Sequence, residues 1–371
     1  MKRRLDYDLL RIFSMFGVIF LHCAASSLRM LDHPYLWNFS NVLADLFTPA
    51  VPLFFMMSGA LLLSSDKTEE LPELLRHRLP KVLVPLVCWS ALAVLSTLLL
   101  SGAEPALSLL LHAVNTPVMV PYWFLYALIP MYLLSPLLKK MVNGLDDRLW
   151  TYMMALWVVF TLGLTTLRSF LPYEVQYLAQ EHWTLNVNMV GGYLGYFLLG
   201  AYLERLKRVP SKGALSVVVV VMLAVSILGT RWDTFAHQAY SDRFTNYLSL
   251  FTLVLSSAIF LLAKGCFRGR EERGRLVPLL AGLSFPIYLL HPLAIGFMER
   301  VWGKLVSVMG PVSVVQLAAF YLAVVVLCLA GAFLVSSVKP LCYALTGQKF
   351  KAACRSCNLF SLFSKGTKGV D

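Results

Sequence analysis

An arginine and a histidine, Arg11 and His22, bracket an otherwise largely apolar stretch, Arg-Ile-Phe-Ser-Met-Phe-Gly-Val-Ile-Phe-Leu-His. Eleven helical steps of 100° return to within roughly 20° of the starting direction, so the two side chains share one face, about 16 Å apart along the axis. A guanidinium suits phosphate or carboxylate, and an imidazole, with an ordinary pKa near ~6.5, suits proton transfer at neutral pH. Ionisable groups at membrane depth mark functional paths by default. The other reading of the spacing is that Arg11 snorkels to the inner surface and His22 to the outer one. Asp8, three residues before Arg11, can pair with the guanidinium on the helix surface.

A second imidazole lies in Ser284-Phe-Pro286-Ile-Tyr288-Leu-Leu-His291-Pro292. Tyr288 and His291 are three apart and roughly cofacial, and the two prolines free backbone groups that need partners in a protein-enclosed cavity. His291 either belongs to a site or only hydrogen-bonds a carbonyl that Pro292 leaves open. The run Arg76-His-Arg78-Leu-Pro-Lys81 is an anion site for phosphates or an ordinary basic helix end. Phe54-Phe-Met-Met-Ser58-Gly59 permits close backbone approach, more naturally to a neighbouring helix than to a ligand, and Gly191 to Gly200 has a similar small-residue spacing. The segment from Arg168 to Asn186, with Glu174, Glu181, His182 and Trp183, is the best candidate for a lid or acceptor surface. Asp233, His237 and Asp242 have no convincing metal spacing, and the lone Cys354-x-x-Cys357 lacks a second ligand pair.

The elements that must position these residues are membrane spans. The chain is 58% hydrophobic and 14% charged, with a mean hydropathy of +0.70, whereas soluble domains carry about 25% charged residues. Apolar runs of about 20 residues fit helices crossing ~30 Å of hydrocarbon and exclude a β-barrel. The expected fold is all-α and polytopic, with about ten transmembrane helices near 8–26, 42–63, 82–101, 121–138, 149–167, 187–203, 214–230, 244–263, 277–298 and 313–337. The first is read as a retained span, not a cleaved signal peptide. Residues 1–338 form the transmembrane domain and 339–371 a basic, solvated cytoplasmic tail. Prolines 49 and 52 imply a kink in the second span, and Pro130 and Pro136 an interruption of the fourth. Of the 32 Lys and Arg, 25 fall in alternate segments starting with the N-terminus; Arg29, Arg168, Arg231, Arg243, Arg300 and Lys304 lie on the other side. The positive-inside rule then puts both termini in the cytoplasm. The net charge of +12 is topology, so no nucleic-acid partner is expected. The seven cysteines do not read as a secreted disulfide framework.

Five pieces in order, Asp8-x-x-Arg11-x10-His22, Phe-Phe-x-x-Ser58-Gly59, the basic entry to span three, Tyr122-Trp-Phe-Leu-Tyr-Ala-Leu and Ser284-x4-Tyr288-Leu-x-His291-Pro292, resemble the membrane acyltransferase-3 family, whose members O-acylate cell-surface sugars. The resemblance covers most of the ten-span region. Where that family often has Arg-x-x-Arg, this chain has Arg78-Leu-Pro-Lys81, which keeps the charge and loses one bidentate fork. The resemblance implies a bacterial cytoplasmic membrane, acyl-CoA (acetyl-CoA by default) as cytoplasmic donor, no metal, and a sugar or lipid-linked hydroxyl acceptor outside. On that implication Arg76, Arg78, Lys81, Ser58 and Arg11 hold the donor. His22 acts as general base, with an acyl-imidazole as the variant, and Tyr288 and His291 stabilise the oxyanion or orient the acceptor. The alternatives are a transporter or flippase of lipid-linked sugars or small acceptors, and a membrane sensor. Homo-oligomer formation stays open, as do the identities of acyl group and acceptor.

Overall fold

Long runs of Leu, Val, Phe and Ala without water to satisfy the backbone have one economical solution, the helix. The computed structural model describes residues 3–172, 174–176, 191–270, 274–309 and 313–356, and among these there are helices and turns but no strand. The chain divides into two compact units, Met1–Glu70 with Leu134–Glu271, and Leu71–Leu133 with Glu272–Asp371.

The first unit contains α1 (Leu5–Cys23), α2 (Pro34–Phe47) and α3 (Ala50–Leu63). Where a kink was expected, the helical pattern is interrupted between the last two at Thr48 and Pro49. It also holds the second half of α6 (Trp123–Gly144), then α7 (Asp147–Trp157), α8 (Leu164–Phe170), α9 (Tyr193–Arg205), α10 (Lys212–His237) and α11 (Leu250–Phe267). Its tightest seam joins α3 and α9. A Cβ on Gly59 would sit 1.7 Å from the Phe197 carbonyl oxygen, and one on Gly200 would sit 1.9 Å from that of Met56. Only hydrogen fits at either place, so the small-residue patterns of both helices serve packing.

The second unit contains α4 (Pro80–Ser101), α5 (Ala103–His112), the first half of α6, α12 (Leu276–Met309), α13 (Val314–Ser337), α14 (Lys339–Thr346) and α15 (Phe350–Ser356). Prolines 286 and 292 do not break α12, nor do Pro130 and Pro136 break α6. Each proline instead removes one backbone donor from an otherwise continuous helix. The start of the tail is packed where a solvated end was expected: Cys342, Leu345, Thr346 and Ala353 are all buried.

Eight helices among the described residues are long and apolar enough to cross a membrane. They correspond to the expected spans two to five and seven to ten. The first span misses that criterion because α1 carries Asp6, Asp8 and Arg11, and α9 is short, with part of the sixth span outside the described residues. Glu181, His182, Trp183 and Cys357 also lie outside the described residues.

Candidate functional site

The face of α1 that carries Arg11 and His22 is covered by protein. Met15 and Val18, which lie between them on the same stripe, are 1% and 4% exposed, and Ser14 is fully buried. Arg11 and His22 themselves are half-buried, and no residue from Arg4 to Ala24 is exposed. A snorkelling pair on a lipid-facing helix would leave that stripe bare; here it is enclosed.

At the start of α1 the expected Asp8–Arg11 pair forms, with Arg11 Nη1 donating to Asp8 Oδ1 at 3.2 Å. It belongs to a larger network that the sequence did not announce. Arg3 donates to the other oxygen of the buried Asp8 at 2.5 Å, Arg4 donates to Asp6 and, at 2.6 Å, to Glu204 of α9, and Tyr7 donates to Glu204 at 3.0 Å. Burial by itself would lower the Arg4 pKa, but its hydrogen bonds to Asp6 and Glu204 outweigh that and hold the guanidinium more firmly protonated than usual. The network fixes the height and rotation of α1, and through Asp8 the position of Arg11. Ser58 faces its own helix, its hydroxyl donating to the Phe54 carbonyl at 2.8 Å.

In the second unit, α12 shows where its prolines' orphan carbonyls go. Pro292 cannot donate to Tyr288 O, and His291 Nδ1 bonds that oxygen instead. A carbonyl only accepts, so Nδ1 carries the proton and Nε2 is the basic nitrogen of this fully buried ring. Pro286 likewise cannot donate to Gly282 O, which receives Gln348 Nε2 at 2.6 Å. The Tyr288 hydroxyl donates to the Pro121 carbonyl, while Tyr122 donates to Leu289 O at 2.7 Å. The two tyrosines lock α12 to the start of α6, and the one Tyr288 proton is committed to that lock.

The basic run ahead of α4 folds as a wide turn over Leu74–Arg78, closed by Leu79 N donating to Leu74 O at 2.9 Å. Such five-residue closures recur at functional sites. Arg76 and Lys81 from this run line a cavity of 590 Å³; Arg78 is not among its lining residues. The opposite wall comes from Lys339, Tyr343, Lys349 and Phe350, more than 250 residues further on. Sequence reading missed them. The available signal was Gly347 behind Thr346, a helix stop that implies a folded segment in a tail taken as solvated.

A family model described as an acyltransferase domain, that of the acyltransferase-3 family, matches residues 4–337. The chain belongs to that family. No curated protein and no solved structure gives a significant match. The multiple apolar helices and the family together make the protein a multi-pass membrane acyltransferase. The match takes in Arg11, His22, Arg76, Lys81, Tyr288 and His291 and stops at Ser337. Half of the acyltransferase's basic cavity is therefore built by residues beyond it.

Proposed function

We propose that this acyltransferase moves an acyl group, acetyl by default, from cytoplasmic acyl-CoA to a hydroxyl of a surface polysaccharide or lipid-linked sugar on the far side of a bacterial cytoplasmic membrane. Both termini are cytoplasmic and the spans number ten, counting α1 and the segment ending in α9. The observation that carries the reading is the enclosed Arg11–His22 stripe, because an imidazole and a guanidinium on a protein-covered helix face have no membrane-anchoring use.

His22 removes the proton of the acceptor hydroxyl as its oxygen attacks the thioester carbonyl. The tetrahedral intermediate collapses to the new ester and expels the CoA thiolate, which leaves as CoA-SH after taking up a proton. Arg76 and Lys81 meet donor phosphates in their cavity, and Arg11, held by Asp8, adds positive charge at its own end of α1. His291 acts in orienting the acceptor; Tyr288 holds α12 in place.

Vesicles loaded with labelled acyl-CoA and bathed in acceptor test this directly. The wild-type protein should place label on the external acceptor. His22→Ala should lower turnover by about 100-fold or more while the protein stays folded, and Arg11→Ala should raise the donor KM with little change in that of the acceptor. Unchanged turnover by His22→Ala removes the base assignment. Passage of intact acceptor without labelled product would make the protein a transporter.

A further inference from the structure

We propose that the segment behind the last span, Lys339 to Phe350, completes with Arg76 and Lys81 a binding site for the 3′-phosphorylated adenine nucleotide end of the donor. The inference rests on the acyl-CoA reading above and adds a substrate-binding wall from residues that the family match does not include.

Four cations line one cavity, and among the described residues none of them has an ion-pair partner. The cavity's single carboxylate, Glu73, is 3.9 Å from His77. Like charges do not gather by attraction, so something else must hold the tail there. Packing and directed hydrogen bonds do so. Trp89 Nε1 of α4 donates to Leu345 O at 2.9 Å, Gln348 is bonded to the Gly282 carbonyl of α12, and Gly347 lies flat on the backbone of Lys81. All four cations are exposed, so water and salt screen their mutual repulsion; what the frame supplies is a fixed cluster of donors that a polyanion can meet at once.

Phosphate alone does not explain the other side chains. Tyr343 and Phe350 are half-buried and face the same space, and aromatic faces take up nucleobases by stacking. A volume of 590 Å³ falls within the ~300–1,000 Å³ of small-molecule sites and suits a nucleotide better than a single headgroup phosphate. An anionic lipid shares the phosphate chemistry but has no base for the aromatic pair.

The full chain in nanodiscs of phosphatidylcholine should bind adenosine 3′,5′-bisphosphate, and should bind CoA more tightly than dephospho-CoA. Lys339→Gln and Lys349→Gln should each weaken bisphosphate binding by about tenfold and bring the CoA to dephospho-CoA ratio toward one. Phe350→Leu should weaken the nucleotide and leave inorganic pyrophosphate unaffected, while Lys212→Gln, an exposed lysine of the other unit, controls for net charge. Equal binding of nucleotide and pyrophosphate, abolished in nanodiscs of phosphatidylglycerol, would overturn the proposal in favour of a lipid contact. Acyl transfer from acyl-CoA with binding and KM untouched in both lysine variants would overturn it too, and leave the reaction standing. Nucleotide binding that fails in the variants, in a protein that transfers no acyl group from acyl-CoA, would keep the site and remove the reaction.

Discussion

Arg11 and His22 were legible from type and spacing, because a helix face is simple arithmetic. Whether that face met lipid or protein was not, since a membrane span is apolar on both kinds of side. The burial of Met15 and Val18 decides it. His291 and Tyr288 show the converse: the residues were found, and the carbonyl that Pro292 leaves open was one of two readings of His291, but nothing in the sequence pointed Tyr288 at Pro121. Each spends a proton on a backbone carbonyl of its own unit. Tyr288→Phe should therefore lower thermal stability, by about 1–3 kcal/mol for the buried Pro121 oxygen left unpaired, and leave kcat nearly unchanged. A large loss of kcat at unchanged stability, read from a melting curve beside a turnover assay, would return that hydroxyl to the reacting atoms.

At the scale of elements, the helices themselves were legible from hydropathy. Pro130 and Pro136 misled because their usual meaning is a break, whereas α6 runs on through them; in α12 the partners that the freed carbonyls need are His291 and Gln348. The α3–α9 seam was readable from Gly59 and Gly200, as close contact needs small residues. The role of α14 was not readable, since nothing in Lys339–Phe350 names the helix it will meet. Gly347 joins this segment to the basic turn: its φ is +67°, and a Cβ there would lie 2.1 Å from the Lys81 carbonyl oxygen. Gly347→Ala suffers both the left-handed backbone and the collision. It should raise the donor KM severalfold by displacing the tail, with kcat at saturating donor largely kept, as steady-state kinetics can verify. Equal affinity for donor in that variant would detach the tail from donor binding.

For the whole molecule, charge distribution and hydropathy made the polytopic helical class plain, while the division into two units was hidden. Each unit is assembled from two separated stretches of chain, and hydropathy records only that a helix is apolar, not what covers it. Within Pro34–Leu63 72% of an 18-residue apolar stretch is buried, and within Lys212–His237 only 17%, yet both read as ordinary spans. The proposed count of ten spans has a direct consequence for topology. In a variant stripped of its seven native cysteines, Glu174→Cys should react with an impermeant thiol reagent from outside and Lys207→Cys only from inside. Labelling of both from one side would show that the segment between them does not cross.

The Gly282 carbonyl gives the proline in α12 a meaning beyond a lost bond. A ring at position 286 selects one oxygen of that long helix, four residues earlier, and opens it to a visitor from elsewhere in the chain. The ring thus works as an address. Moved by one residue, it would open an oxygen roughly 100° further round the helix, where Gln348 does not arrive, and the last helices would lose their landing place. Where the tail of this acyltransferase comes to rest is therefore written some fifty residues before the tail begins.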